Sequence, residues 1–203
     1  MLSIDISMGM AKVAAMNNTP PDRQDHVLDA AFHVFATYGF RRVTMDDIAR
    51  KAGLSRTALY LHFRNKEDIF RSLSDRYFRK CVAAMAEALA APGHDEAVLV
   101  AAFSAKDGPF MDVVLGTPHG QELMDAGFSV AADIAGQAEG AMIVLLTEWL
   151  SARGADVTLG SAATAAATVF AALKGLKTTA RTVADYRAGQ ASLARMVARS
   201  LGP

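Results

Sequence analysis

Between Thr44 and Phe63 the chain gathers hydrogen-bonding side chains onto what its apolar spacing makes a pair of short helices. Met45, Ile48, Ala49 and Ala52 recur as a buried stripe, and Leu59 and Phe63 point inward at i, i+4. Gly53 permits the left-handed backbone of a tight turn, and Leu54 fills the shared core beneath it. Arg56, Thr57, Tyr60 and His62 are left facing outward on the second helix, and all four can hydrogen-bond. The chemistry open to such a row is recognition: two short helices joined by a Gly-x-Ser turn can cross as a helix-turn-helix does. On apolar spacing alone, an ordinary helical hairpin with a solvated polar face fits equally well.

The formal net charge is zero, but its distribution is uneven. Residues 20–80 carry 12 Lys/Arg against 8 Asp/Glu, whereas residues 81–203 carry 8 against 12. A basic end on an acidic body suits a protein that turns one end towards phosphate, although an excess of four charges is modest. Catalytic constellations are missing from the sequence. There is no Gly-rich phosphate loop or nucleophile elbow, and the five histidines lack metal-ligand partners at helical spacing. His94, Asp95 and Glu96 are adjacent and therefore splay around a helix. The expectation is a protein that is not an enzyme, with no catalytic residue, no metal and no cofactor.

The elements that must position the polar row are helices. Of the 203 residues, 52% are apolar but only 7% aromatic, alanine dominates, and no stretch alternates long enough to require a strand, so an all-α fold is expected. Residues 1–19 are expected to be a flexible tail. Asp22 then caps a first helix that Gly39 stops, and Phe40 tucks back onto the core with Arg41 and Arg42 in the loop. Thr44 with Asp47 resembles a capping box, Ser55 caps a helix from Arg56 to about Phe63, and Asn65 caps a fourth running towards Ala91. Further helices are predicted over 94–106, about 129–153, about 158–180 and about 183–201, with a broken segment from Gly108 to Gly127. The single Cys81 fits a reducing compartment, the first twenty residues lack a secretory signal pattern, and the apolar run 141–146 is too short for a bilayer. A cytoplasmic protein without membrane contact is expected.

The chain resembles the TetR family of repressors. The resemblance rests on Ala30-Ala31-x-x-x-Phe35-x-x-x-Gly39-Phe40, on Thr44-x-x-x-Ile48-Ala49-x-x-Ala52-Gly53-Leu54-Ser55, and on Leu59-Tyr60-x-His62-Phe63-x-Asn65-Lys66-Glu67, about a quarter of the sequence. It implies a DNA-binding helix-turn-helix over 20–66 and a helical sensor and dimerisation domain over 67–203. Thr44 would donate to a phosphate, and Arg56 and Thr57 would reach base edges of double-stranded operator DNA. Tyr60 and His62 would contact the backbone, and Lys66 would add a charged phosphate contact. Thr57 stands where the family often has glycine or another small residue, which puts the details of base contact in doubt. The resemblance also implies a homodimer through the last two helices, where Ala162, Ala163, Ala165, Ala166, Ala167, Phe170 and Leu173 lie on one and Leu193, Met196 and Val197 on the other.

Phe103, Phe110, Met111, His119, Met124, Phe128 and Trp149 either line a pocket for a small apolar effector or fill the core. The function expected is a transcriptional repressor released from its operator by such a ligand. The alternatives are a ligand-independent or architectural DNA binder and an activator.

Overall fold

The computed structural model describes residues 23–202, which form an all-α protein with no strand among the described residues. The expected tail over 1–19 and the Asp22 cap lie outside that range. Among the described residues eleven helices follow one another: α1 (Arg23–Tyr38), α2 (Met45–Lys51), α3 (Arg56–Tyr60), α4 (Lys66–Ala90), α5 (Asp95–Asp107), α6 (Phe110–Gly116), α7 (Gly120–Val130), α8 (Ala132–Ser151), α9 (Ala155–Thr158), α10 (Ala162–Thr179) and α11 (Val183–Ser200). They pack as two compact units. The first extends to Tyr77 and takes in Pro109–Ala135, and the second comprises Phe78–Gly108 and the chain from Gly136 onward. No helix among the described residues is long and apolar enough to cross a membrane.

In the first unit, α1 buries Val27, Ala31, Val34 and Phe35. Gly39 ends it with φ +83°, and its N–H donates to the Phe35 carbonyl at 2.9 Å. The chain then folds back so that the rings of Phe35, Phe40 and Phe70 meet with centroids 5.0–5.8 Å apart. Thr44 and Asp47 form a reciprocal capping box on α2, the Ser55 side chain caps α3, and Asn65 Oδ1 accepts the Asp68 N–H at 2.8 Å on α4. Val113, Leu123, Ala126 and Ala131 belong to the same core as α1–α3, so part of the chain beyond residue 66 packs onto the N-terminal helices.

Two arginines of α4 stitch this unit together. Arg76 pairs with Asp25 and Asp29 of α1. Arg71 donates to the Val130 carbonyl at 2.7 Å and to both carboxylate oxygens of Asp133. This clamp explains a difference from expectation. The helix predicted from about Ser129 begins instead at Ala132, because α7 ends at Val130 and the carbonyl freed there is taken by Arg71. Within the segment expected to be broken, the chain forms two true helices, α6 and α7, on either side of Thr117, Pro118 and His119.

The second unit is built on α5, α10 and α11, whose buried side chains include Leu99, Phe103, Phe170, Leu173 and Tyr186. Gly189 lets α11 approach α10 closely, since a Cβ there would sit 2.7 Å from Leu176 Cδ2. The helix predicted from about Thr158 starts later, at Ala162. Asp156 accepts the Ala162 N–H at 2.9 Å and Ser161 supplies the cap, leaving α9 as a separate single turn.

Candidate nucleic-acid interface

The five residues of α3 are too few to hold a helix by themselves, so neighbours fix its geometry. Ser55 Oγ accepts the Ala58 N–H at 3.1 Å at the start, and Leu59 and Phe63 anchor it from within. The expected helix to Phe63 is shortened, with Leu61, His62 and Phe63 continuing as a turn whose N–H groups still bond Thr57 and Leu59 carbonyls. Anchoring by Leu59 and Phe63 leaves Arg56, Thr57, Tyr60 and His62 exposed together, as their spacing requires.

Arg56, with 65% of its side chain exposed, donates from Nη1 to Asp46 Oδ2 at 3.2 Å, and its guanidinium lies 5.5 Å from the Tyr60 ring centre. Thr44 is exposed, but its hydroxyl donates to Asp47 Oδ2 at 2.6 Å and its N–H to the same oxygen at 3.0 Å. Those bonds from Thr44 hold the Asp47 carboxyl below its ordinary pKa. Lys66 is held by the loop before α2. Its ammonium donates to the carbonyls of Phe40 at 3.0 Å, Arg41 at 2.9 Å and Val43 at 3.2 Å, and it sits 4.9 Å from the Phe40 ring centre. An ammonium has three donors, and here all three close a loop instead of reaching outward.

The first unit exposes further groups. Leu61, 80% exposed, and Tyr38 are large apolar side chains in solvent. Arg50 and Arg64 are exposed cations resting on Asp47 and Asp68. Leu61 lies outside the inward pair Leu59 and Phe63, and that spacing was the available signal. Arg41 and Arg42 are also exposed.

Residues 27–73 match the family of bacterial regulatory proteins named for tetR. The HTH-type transcriptional activator FasR of Mycolicibacterium smegmatis is 31% identical over 109 residues, which is 53% of this chain and 48% of FasR. AcrR of Shigella flexneri, an HTH-type transcriptional regulator, is 35% identical over 52 residues, 26% of this chain and 24% of its own. The matched region thus spans less than half the length of these curated relatives. The fatty acid degradation regulator FadR of Bacillus halodurans shares the fold over 92% of this chain and 97% of its own, with a TM-score of 0.64 at 20% identity. Over residues 27–73 the chain is thus similar to the tetR family of bacterial regulatory proteins, and its fold is shared with solved regulators such as FadR.

The residues expected to line an effector pocket are divided between the two units. Phe110, Met111, His119 and Met124 lie in the first, where Phe110 packs 5.6 Å from the Tyr77 ring centre and His119 Nδ1 is 3.7 Å from Glu122 Oε2. Phe128 lies on α7, and its side chain is outside the described residues. Phe103 and Trp149 lie in the second unit, both buried. The Trp149 indole N–H has no hydrogen-bond partner, while Arg153 stacks 3.6 Å from the indole ring centre and bonds Asp95 at 2.7 Å. Among the described residues, no group of three His, Cys, Asp or Glu side chains is placed to hold a metal ion.

Proposed function

We propose that this chain is a DNA-binding transcriptional regulator in the cytoplasm, a non-catalytic repressor released from its operator by a small apolar ligand. The observation that carries the reading is α3, anchored from below by Leu59 and Phe63 while Arg56, Thr57, Tyr60 and His62 stand in solvent. The similarity of residues 27–73 to the tetR family of regulators supports it. In this reading 20–66 is the DNA-reading part and 67–203 the sensor and dimer part, a division of labour rather than of packing. Arg56 forks onto a guanine after leaving Asp46, Thr57 contacts the next base edge, and Thr44, Tyr60 and His62 fix the register on phosphates.

One recognition helix buries too little surface to select a site, so two copies act on half-sites roughly 34–36 Å apart or a related spacing. Of the residues expected at that interface, Ala162, Ala166, Phe170 and Leu173 are buried inside the chain and unavailable. Ala163 and Ala167 remain exposed on α10, and Met196 on α11. The proposed contact uses these residues. FadR of Bacillus subtilis, in complex with stearoyl-CoA, shares the fold with a TM-score of 0.59 over 87% of this chain and is 20% identical, a precedent for a ligand-binding member.

Selection of bound duplexes from random DNA tests the reading. The wild type should enrich a twofold-symmetric motif, and Arg56→Ala should lose preference at one base pair per half-site, at a cost of about 1–3 kcal/mol. Enrichment of nothing by the wild type defeats the regulator reading. An unchanged motif with Arg56→Ala defeats the residue assignment. A reporter driven from the recovered motif separates repression from activation.

A further inference from the structure

The exposed face of α3 has an apolar member to which none of the roles above gives a task. Leu61 is 80% exposed, more than any other large apolar side chain of the first unit among the described residues. Its backbone is still helical, with φ −69° and ψ −23°, and its N–H donates to the Thr57 carbonyl at 3.2 Å. Two residues along a helix lie about 200° apart around its axis. Burying Leu59 completely therefore turns Leu61 to the opposite side. Thr57, four residues earlier, shares that side. Arg56 lies about 140° away, on the flank where it bonds Asp46 of α2.

A lone leucine in solvent is ordinary on a protein surface. Leu61 is set apart by its surroundings and its place. It stands among hydrogen-bonding side chains, in a unit that also exposes the cations Arg42, Arg50 and Lys51. Residues 20–80 carry 12 Lys/Arg against 8 Asp/Glu. That setting favours a polyanionic partner over an apolar protein face. When α3 enters a major groove, Leu61 enters with it, on the side of the helix farthest from Leu59. Against a base edge made only of donors and acceptors, a leucine displaces water and returns no hydrogen bond. Of the four ordinary bases, only thymine carries an apolar group on that edge, its C5 methyl.

We infer that Leu61 is a specificity-determining residue that selects one thymine in each half-site through its C5 methyl. The inference rests on the DNA-binding half of the proposed function. To the guanine expected of Arg56 it adds a second base, recognised without a hydrogen bond. Burying one methyl group against leucine is worth about fourfold in affinity. The five residues from Arg56 to Leu61 advance about 7.5 Å along the helix axis. With α3 lying along the groove, the thymine falls within about three base pairs of that guanine.

Anisotropy titrations of the full-length protein test this, using the duplex recovered from random DNA and copies in which single thymines are replaced by deoxyuridine. That replacement removes the methyl and keeps the base pair and the O4 acceptor. For the wild type, one thymine per half-site should matter, with binding about fourfold weaker for each methyl removed. Leu61→Ala should bind the natural duplex more weakly and lose its sensitivity to deoxyuridine at that position, while still requiring the guanine. Should that variant fail to fold, Leu61→Gln replaces it, because glutamine suits adenine and the methyl effect must again vanish. A duplex in which no thymine methyl matters, or a methyl effect that persists in the folded variant, overturns the inference. A variant that weakens every sequence alike assigns Leu61 to the sugar–phosphate backbone and also overturns it. So does one that lowers the mass seen by light scattering with duplex binding unchanged, which assigns Leu61 to a contact between copies. An Arg56-dependent motif without a methyl effect removes this inference alone. Enrichment of no motif removes the proposed function and the inference together.

Discussion

At the level of single residues, Lys66 and Gly39 show how far a residue's type locates its contacts. Lys66 lies in a stretch that resembles the family, but its reach to the Phe40, Arg41 and Val43 carbonyls depends on how the 40–43 loop folds back, which spacing cannot reveal. Lys66→Met should lower unfolding free energy by about 1–3 kcal/mol, measured by urea denaturation. A merely phosphate-directed lysine would leave stability unchanged. Gly39 and Gly53 both hold positive φ, +83° and +66°. Gly53→Ala meets open space and should cost roughly 1–2 kcal/mol for the left-handed backbone alone. Gly39→Ala should cost more, because its Cβ would fall 2.3 Å from Glu122 Oε2 while Glu122 Oε1 accepts the Arg41 N–H at 2.6 Å. Adding Glu122→Ala to Gly39→Ala should bring the two glycine costs together. A Gly39→Ala protein no less stable than Gly53→Ala refutes that account.

At the level of elements, legibility followed the range of the determining interaction. The caps at Thr44, Ser55 and Asn65 are local, and all three form where the sequence placed them. The break between α7 and α8 was not legible, because it is held by Arg71, 59 residues from the Val130 carbonyl it binds. The length of α3 was overread because Phe63 keeps the inward spacing of a helix while its backbone has already passed into a turn. Since α3 relies on its anchor and α2 on its cap, two substitutions should separate these supports. Leu59→Ala, at a fully buried site, should cost about 2–5 kcal/mol. Thr44→Ala should cost about 1 kcal/mol, with Thr44→Ser nearly neutral. Equal losses in thermal or urea melts would contradict this ranking.

At the level of the whole molecule, the all-α class was legible from composition, whereas the gathering of 109–135 with the N-terminal helices was not. That grouping follows from long-range pairs such as Arg71 with Asp133, which fall far apart in sequence. The pair has a pH signature. Hydrogen bonding from Arg71 lowers the Asp133 pKa from 3.8 to about 2. A carboxylate depressed on folding stabilises fully above its unfolded pKa, and the contribution fades as pH falls through the folded value. The stability gap between wild type and Asp133→Asn should therefore be constant above about pH 5 and close between about pH 4 and 2. A gap as wide at pH 2 as at pH 7 rules the clamp out as its source. The proposed assembly is tested at the same scale by Ala167→Glu, which should shift the mass measured by light scattering from dimer to monomer without loss of helicity. An unchanged dimer places the interface elsewhere.

The bridge between Arg56 and Asp46 has a consequence for discrimination. A guanidinium already satisfied by a carboxylate has an internal competitor for any base that would attract it, and an exposed pair of this kind is worth up to about 1 kcal/mol. A guanine edge, offering two acceptors side by side, outbids that competitor, whereas most other edges do not. Under the proposed reading the aspartate is an internal competitor: the preferred duplex loses the full worth of the bridge, and any other duplex loses at most the contact it fails to make. Under that reading Asp46→Ala should grip its preferred duplex more tightly, by up to about fivefold, and choose it no less well.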